Sequence, residues 1–275
     1  MVSSNDGSCL VTVVTVTRND LDRLQLTWAS VARQVDADLE WVVVDGASTD
    51  GTVEWLESLT DDRVRVLSEP DAGIYDAMNK GLALATGELV TFLNAGDRYL
   101  DDDVLARVGQ RYEKDRWLWG HGGGVVVDAA GRPVRPVSGG YRGRLRYAFG
   151  RSAVIHQTVF ARTQLVRALG GFDLRFPIAA DVHLIMRLGR QSDPAVWPSV
   201  DVAYEEGGVS DQDAGRSLGD MHRARVDAFG MNRGLAAVDS AWTAGVVGYV
   251  RGRQAAKRTA RHLLGDRSID WWAKR

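Results

Sequence analysis

Two carboxylates stand where apolar runs of this sequence end, at positions that suit ligand binding. Asp45 directly follows the apolar run 42–44, and a carboxylate there can accept hydrogen bonds from a base or a ribose. Asp97 closes the segment Asn94-Ala95-Gly96-Asp97, just past another apolar run, where a carboxylate can hold a hard divalent cation against a diphosphate. One carboxylate, phosphate oxygens and water form a common Mg²⁺ or Mn²⁺ arrangement. The competing interpretation of each segment is a plain turn before a helix.

A third polar segment, residues 69–81 (EPDAGIYDAMNKG), surrounds an apolar helix start. Gly73 lets the backbone come close to a ligand because it has no side chain, and Asp71 stands two residues before it. The simpler interpretation of this segment is a helix cap followed by an amphipathic helix. For Ser48 and Asp50, which follow Asp45, turn and cap chemistry alone is the better explanation.

The elements that must position these segments alternate in type along the first part of the chain. Runs rich in β-branched residues predict buried strands, and apolar residues at helical spacing predict helices between them. We expect strands at 10–17, 39–45, 63–67 and 88–93, and helices at 20–34 (capped by Asn19), 51–59 (capped by Ser48 or Thr49), 71–85 and 101–113. Such alternation predicts βαβ units and a mainly parallel sheet, whose ligands collect at the carboxyl ends of the strands.

The rest of the chain lacks this regular alternation. We expect strands at 117–127, 133–137 and 154–161, and helices at 162–169, 179–190 and, with a break near Gly230, 215–264. The last helix has an apolar face, formed by Leu235, Val238, Trp242, Val246 and Tyr249.

The composition excludes several classes of protein. The 275 residues are 45% hydrophobic and 25% charged, as in a globular protein, and the single cysteine, Cys9, excludes a disulfide framework. The polar N-terminus shows no signal peptide, and no apolar run reaches the roughly 18 residues of a membrane span. The sequence therefore predicts a cytoplasmic protein, or one bound peripherally to the inner face of the cell membrane. No G-x-G-x-x-G follows the first strand, which argues against a dehydrogenase.

In their order and spacing, the three polar segments resemble glycosyltransferase family 2. The match covers roughly the first 100 residues and extends to about residue 210, and residues 71–81 are similar to the subgroup that builds bacterial surface polysaccharides and glycolipids. The resemblance implies an α/β GT-A (Rossmann-like nucleotide-diphospho-sugar transferase) fold, with a mainly parallel central sheet, helices on both faces and a C-terminal helical extension. It implies a catalytic domain at 1–230, divided near 115 into nucleotide-binding and acceptor-binding halves (about 1–115 and 116–230), and a basic extension at 231–275.

The resemblance also assigns the contacts of the nucleotide and of the donor sugar. Thr15, Thr17 and Asp45 match positions that bind the nucleotide base and the ribose. Asp71 and Gly73 match positions that lie beside the nucleotide and the donor sugar.

The same resemblance implies a metal site and a catalytic base. Asp97 matches the last aspartate of the family's Asp-x-Asp motif, which implies bound Mn²⁺ or Mg²⁺, while Asn94 and Gly96 are donor-binding positions where relatives often carry carboxylates. The family's base matches Asp181, whose competing role is to cap the helix that it opens. An inverting transfer needs a base to remove the acceptor hydroxyl's proton as that oxygen attacks the anomeric carbon.

Three later segments resemble further landmarks of the family. His156, with Gln157, matches a polar pair near the acceptor, so we expect it to contact the acceptor or the diphosphate, although a lone histidine is more often a core or surface group. The turn 170–173 (GGFD) fits a helix C-cap followed by a packed aromatic ring. Residues 207–210 resemble a flexible loop that closes over the donor.

Two basic segments accompany the overall net charge of −2. Residues 132–151 contain six arginines and no acidic residue; there Arg142, Arg144 and Arg146 suit an anionic acceptor such as a lipid-linked diphosphate, with a solvated hairpin as the alternative. Residues 251–275 hold eight Lys or Arg against two Asp, with two adjacent tryptophans, which favours an anionic membrane surface over a helix packed on the domain. No recognition motif for nucleic acid accompanies them, so nucleic acid is not an expected partner.

These observations predict a metal-dependent, inverting glycosyltransferase. Its donor is expected to be a nucleotide-diphosphate sugar, in the first place a UDP-sugar. Its acceptor is expected to be a hydroxyl of a glycan or lipid-linked molecule in bacterial surface glycan or glycolipid assembly. Because Gly96 alters the metal motif, a catalytically weak sugar-nucleotide-binding protein is the alternative. The sugar, the acceptor and the oligomeric state, a homo-oligomer included, stay open.

Overall fold

The parallel half of the sheet forms from four β-branched runs near the N-terminus. In the computed structural model, which describes residues 9–128, 130–137, 143, 147, 154–205 and 214–264 (backbone only for 214, 215 and 249–264), these runs are β1 (Val11–Thr17), β2 (Leu39–Asp45), β3 (Val64–Ser68) and β4 (Leu89–Phe92). They pair in parallel in the order β3-β2-β1-β4. Every residue of β1 and β2 is buried, because helices cover both faces of the sheet.

Four helices accompany these strands, namely α1 (Leu21–Ala32), α2 (Thr52–Ser58), α3 (Ile74–Leu84) and α4 (Val104–Asp115). On one face of the sheet, α3 contributes Met78 and Leu82 to the core. On the other face, α1 contributes Leu24 and α4 contributes Leu105. The loops after β1, β2 and β4 therefore open at one edge of the sheet, as the alternation predicts.

Two predicted helix caps are wrong. The N-cap of α1 is Asp20, and the preceding Asn19 has a φ of +50°. The Asn19 Oδ1 atom instead accepts the backbone N–H of Thr49 at 2.8 Å, and the Ser48 hydroxyl accepts the backbone N–H of Asn19 at 2.7 Å. The N-cap of α2 is Gly51. The predicted caps are thus engaged in joining the loops after β1 and β2.

The second half of the sheet is mostly antiparallel. It contains β5 (Arg98–Tyr99), β6 (Trp119–Val127), β7 (Pro133–Val137), β8 (Val159–Arg162) and β9 (Ala195–Glu205). The described strands form one nine-stranded sheet in the order β3-β2-β1-β4-β8-β6-β9-β5, with β7 beside β6. In this half β6 and β9 are parallel, and the other described pairs are antiparallel. The strand predicted at 154–161 starts only at Val159, after a 3-10 turn at His156–Thr158.

The later helices are α5 (Thr163–Ala168), α6 (Ala180–Gln191), α7 (Ala214–Phe229) and α8 (Arg233–Leu264). α6 shares a core with α3, and α7 packs between α6 and α8. Gly230, with a φ of +58°, separates α7 from α8 where the sequence predicts a break. None of the described helices is long and apolar enough to cross a bilayer.

Candidate active site

Asp45 organises the loop that follows β2. It is fully buried and is the register partner of Thr17 in the parallel pair of β1 and β2. Its carboxylate accepts the hydroxyl and the backbone N–H of Ser48, the latter at 3.0 Å, and the hydroxyl of Ser68 at 2.6 Å. Asp45 thereby ties its own loop to the end of β3, and its oxygens already have partners within the protein.

The two threonines near the end of β1 differ in their surroundings. The buried Thr15 hydroxyl donates to the Leu93 carbonyl at 2.7 Å and accepts the Trp41 indole N–H at 2.8 Å. Thr15 therefore holds β1 against its neighbours on both sides. The Thr17 hydroxyl oxygen, in contrast, is buried without a hydrogen-bond partner among the described residues. A ligand at this edge could supply that partner.

Asp71 and Gly73 lie beside the loop that Asp45 organises. A Cβ atom at Gly46 would lie 2.5 Å from Asp71 Oδ2, so the absence of a side chain at Gly46 lets this carboxylate approach. The other oxygen, Asp71 Oδ1, accepts the N–H of Gly73 at 2.8 Å. Gly73 is exposed and immediately precedes α3. The structure thus brings the predicted donor-binding residues after β2 and β3 to one edge.

The loop Asn94–Asp97, which follows β4, is held by α1. The Thr27 hydroxyl accepts the Gly96 N–H at 2.9 Å and donates to the Asp97 carbonyl at 2.8 Å. Gly96 has a φ of +94°, and a Cβ atom there would lie 2.5 Å from the Arg23 guanidinium. The backbone conformation therefore favours glycine at this position, and a side chain there would also displace the flexible end of Arg23. This explains why a carboxylate side chain is missing from position 96.

Asp97 is a buried carboxylate with little compensation. Burial raises the pKa of its carboxyl to about 6, although His156 and Arg23 act in the opposite direction. The Gln157 amide donates to Asp97 Oδ2 at 3.2 Å. Nearby, Asn94 Oδ1 is buried without a hydrogen-bond partner in the described part of the chain. An underpaired carboxylate and an unpaired amide oxygen suit a hard divalent cation, which prefers oxygen ligands.

Asp181 lies in the first turn of α6, but it does not cap the helix. The buried Asp220 of α7 binds the segment just before α6, where it accepts the backbone N–H groups of Ile178 at 2.9 Å and Ala179 at 3.0 Å. Asp181 Oδ1 accepts the Tyr75 hydroxyl at 3.0 Å. Since the Asp181 side chain makes no capping hydrogen bond, its carboxylate is available for another role.

His156 connects Asp181 to the loop after β4. Its Nδ1 lies 3.3 Å from Asp181 Oδ2, and its Nε2 lies 3.3 Å from Asn94 Nδ2. The Nδ1–H group can donate to Asp181 Oδ2, while the role of Nε2 toward the Asn94 amide depends on the tautomer of the ring. The predicted base and the predicted metal motif thus meet through one histidine side chain.

The surroundings of Asp181 keep it ionised. Burial acts to raise its pKa, but the hydrogen bond and charge of His156, together with the Tyr75 hydroxyl, hold the pKa below the usual range of an aspartate. A small cavity with apolar walls, lined in part by Phe172 and Leu184, lies behind His156 and Asp181. Asp181 is therefore a carboxylate at neutral pH, fixed by two hydrogen bonds against an apolar wall.

The turn 170–173 has the capping role that the sequence predicts. Gly170 and Gly171, with φ values of +80° and +64°, end α5. Phe172 packs edge-on against Phe92, with 4.7 Å between the ring centroids, and stacks on Tyr75 at 5.5 Å. The packed aromatic ring thereby supports the tyrosine that holds Asp181.

Some predicted site residues lie outside the described part of the chain, and the sequence does not predict some residues that position the site. Arg142, Arg144, Arg146 and the loop 207–210 lie outside the described residues. The residues missing from the sequence prediction are Thr27, Tyr75 and Asp220. Tyr75 stands inside the segment 69–81, and its place in that polar segment could have identified it as a site residue. Thr27 and Asp220 lie on helices that no local motif marks.

Two other clusters in the described part of the chain have metal-ligand chemistry, namely Cys9-Glu88-Glu113 and Asp173-His183-Asp227. In the second cluster Arg175 pairs with both aspartates and already offsets part of their charge. In the first, burial raises the pKa of the Cys9 thiol to about 12, which keeps it protonated. Neither cluster contains Asp97, so a cation at Asp97 would depend on Asn94 and on oxygens of a bound ligand.

Comparison with known proteins identifies the family of this chain. Residues 12–122 match the model of glycosyl transferase family 2. An uncharacterized glycosyltransferase of Mycobacterium tuberculosis is 35% identical over 226 residues, which cover 78% of this chain and 84% of the relative. The chain therefore belongs to glycosyltransferase family 2. A PGL/p-HBAD biosynthesis glycosyltransferase of the same species is 35% identical over 158 residues, 55% of this chain and 59% of that protein.

Solved structures confirm the predicted GT-A fold. Staphylococcus aureus TarS 1–349 in complex with UDP superposes with a TM-score of 0.62 at 18% identity, over 82% of this chain and 68% of that one. The mannosyltransferase PcManGT of Pyrobaculum calidifontis, in complex with GDP-Man and Mn²⁺, superposes with a TM-score of 0.57 at 20% identity, over 94% and 82% of the two chains.

Proposed function

We propose that this glycosyltransferase moves a sugar from a nucleotide-diphosphate sugar to an acceptor hydroxyl with inversion at the anomeric carbon. The observation that carries the proposal is the ionised carboxylate of Asp181, which His156 and Tyr75 hold beside the Asn94–Asp97 loop. A fixed base next to the loop that handles the leaving diphosphate is the arrangement that a single-displacement transfer requires.

The proposed donor is a UDP-sugar, bound along the carboxyl edge of β1, β2 and β4. We assign direct contacts with the donor to Thr17, Asp71 and Gly73. Thr15 and Asp45 shape this edge from within, because their polar atoms already have partners in the protein. TarS was solved with UDP and PcManGT with GDP-Man. Any test of the donor must therefore include both UDP-sugars and GDP-sugars.

Asp181 is the proposed general base. The acceptor oxygen attacks the anomeric carbon while its proton passes to an Asp181 oxygen, and the bond between that carbon and the diphosphate oxygen breaks. The nucleoside diphosphate leaves with the electron pair of that bond. The low pKa of Asp181 keeps the base ready at neutral pH, and the His156 N–H fixes the direction of its carboxylate.

Asp97 and Asn94 would hold the divalent cation, Mn²⁺ or Mg²⁺, that we propose as cofactor. Its charge would offset that of the leaving diphosphate. The buried, only partly compensated carboxylate of Asp97 and the unpaired Asn94 Oδ1 support this assignment. Gly96 contributes no ligand and instead leaves space for Arg23.

The proposed acceptor is a hydroxyl of a glycan or lipid-linked molecule of the bacterial surface, reached from the cytoplasm or the inner face of the membrane. The relative named for PGL/p-HBAD biosynthesis supports a role in envelope glycolipid assembly. The arginines at 142, 144 and 146 suit an anionic acceptor. If so, replacing all three with glutamine should raise the acceptor KM, and an unchanged KM would count against an anionic acceptor.

A thermal-shift panel of UDP-, GDP- and dTDP-sugars, each with and without Mn²⁺, tests the donor, because a ligand that binds only the folded state raises its apparent stability.

A transfer assay then compares the wild type with Asp181→Asn, which should bind the donor normally but lose transfer. Normal transfer by Asp181→Asn would exclude Asp181 as the base. A wild type that binds a donor but transfers to none of a range of acceptors would instead support a sugar-nucleotide-binding protein.

A further inference from the structure

The helix α8 presents large apolar side chains to solvent. Leu235, Val238 and Trp242 are 58%, 69% and 53% exposed. Their spacing of three and four residues places them on one face of the helix, which we call the α8 stripe. Scattered single apolar residues are normal on a protein surface, but a contiguous stripe that includes a tryptophan indicates an interaction surface.

Polar contacts with α7 explain why the stripe faces outward. Asp239 of α8 is buried and pairs with Arg225 of α7 at 2.9 Å, and it also lies 2.5 Å from His222 Nδ1. The Thr243 hydroxyl accepts a second N–H group of Arg225 at 2.6 Å. Breaking a buried ion pair by rotating the helix would leave charges without partners, which is strongly unfavourable. α8 is therefore docked by a polar face, and its apolar face stays outside.

The sequence that continues α8 is basic. The helix extends to Leu264, and residues 251–264 contain five Arg or Lys and no Asp or Glu. An apolar stripe followed on the same helix by a run of basic residues is the pattern of a helix that lies in a membrane interface. Basic residues near such a stripe are attracted to anionic lipid headgroups.

We infer that the α8 stripe, together with residues 251–264, binds the surface of an anionic membrane. The stripe consists of three side chains that are 53–69% exposed, far fewer than the roughly 20–30 residues per partner of a stable protein interface. A membrane interface needs only a few inserted side chains plus basic residues. A second copy of the chain is therefore the weaker candidate for the occupant. Membrane binding is independent of sugar transfer, so either proposal can fail without the other.

Co-sedimentation of the full chain with lipid vesicles tests this inference. We expect binding to vesicles of phosphatidylcholine mixed with phosphatidylglycerol, and about tenfold weaker binding to phosphatidylcholine alone, because each basic residue gains from the anionic surface. The combined substitution Leu235→Ser, Val238→Ser and Trp242→Ser should weaken binding to the anionic vesicles by about tenfold or more, because it removes the inserted apolar surface.

The chain offers a matched control for lost surface hydrophobicity. Leu26, Val134 and Leu174 are 50%, 58% and 52% exposed and lie away from α8 in the sequence. Their combined replacement by serine removes a similar apolar area and should leave vesicle binding as in the wild type. If that control lost binding to the same extent, the effect would not belong to α8 and the inference would be wrong.

Two further variants keep the test decisive if the triple α8 variant does not fold. Trp242→Phe keeps a large apolar ring and should retain binding. Arg253→Gln with Lys257→Gln leaves the stripe intact and should weaken binding to anionic vesicles only.

Three results would overturn the inference. They are equal binding to neutral and anionic vesicles, unchanged binding of the folded triple variant, and no binding by the wild type. A dimer in solution that the triple variant lacks, without vesicle binding, would identify a second copy as the occupant.

Discussion

Replacing Asp97 with asparagine separates what this carboxylate does to the ligand-free fold from what it does for a bound cation. Burial raises the pKa of Asp97 from an ordinary 3.8 to about 6. Between pH 3.8 and about pH 6, Asp97 is therefore protonated in the folded protein but ionised in the unfolded chain. The stability of the folded protein falls as the pH rises through this range. A shift of roughly two pKa units corresponds to about 3 kcal/mol of lost stability at pH 7.

We expect the ligand-free Asp97→Asn protein to be more stable than the wild type at pH 7, by up to about 3 kcal/mol. Asparagine still offers an oxygen to the Gln157 amide and removes only the buried charge. The gain should shrink as the pH falls and vanish near pH 4, which urea unfolding across this range can measure. With Mn²⁺ and UDP present this difference should shrink, because the wild type gains more stability from the cation than the variant does.

Asp201→Asn provides the matched control, since Asp201 is equally buried but well paired. Its oxygens accept the Trp197 indole N–H at 2.6 Å and pair with Arg107 at 3.1 Å. Removing this charge should lower the free energy of unfolding at pH 7, the opposite sign to Asp97→Asn. The reasoning is refuted if Asp97→Asn also destabilises the ligand-free protein at pH 7, or if its effect is the same at pH 4 and pH 7.

Two further substitutions test Tyr75, which holds Asp181, and Asp220, which holds the segment just before α6. Tyr75→Phe should lower kcat by about tenfold with little change in the donor KM, since a hydrogen bond to a charged group contributes roughly 1.5–3 kcal/mol and this hydroxyl also faces a carbonyl. Tyr112→Phe removes a comparable hydroxyl bond to Glu88 and should leave kcat unchanged; equal losses in both variants would contradict a specific role for Tyr75. Asp220→Ala should lower the free energy of unfolding by about 1–3 kcal/mol, because two backbone N–H groups before α6 lose their acceptor. Asp220→Asn should recover part of that loss in urea unfolding, and an undiminished stability of Asp220→Ala would exclude a stabilising role for these two hydrogen bonds.

The parallel half of the fold is predictable because its central strands are covered on both faces and are therefore apolar along most of their length. β9 lacks such a continuous apolar sequence. It contains Pro198 and the buried Asp201, and exposed and buried residues are mixed along its first half, so no continuous apolar run marks it. β5 has only two residues. In the antiparallel half, β5 and β9 thus form because they pair with neighbouring strands, and their amino-acid composition alone does not predict them.

The candidate site is predictable where its residues follow a strand or stand in a dense motif. Asp45, Asp97 and Asp181 are identified in this way. Thr27 and Asp220 act differently, because their side chains bind backbone groups of segments that are about 70 and 40 residues away. A contact from a side chain to a distant backbone group leaves no spacing pattern in the sequence, since almost any residue can supply the backbone group.

Hydrogen-bond partners divide the predicted donor-binding residues into two groups. Thr15 and Asp45 are satisfied inside the protein, so they serve the fold whether or not a ligand is bound. Thr17 and Asn94 each carry a buried oxygen without a partner among the described residues, and Asp97 carries a poorly compensated charge. Such groups are unfavourable in a ligand-free fold. Their location at one edge of the sheet supports assigning the donor and its cation to that edge, on grounds independent of the family resemblance.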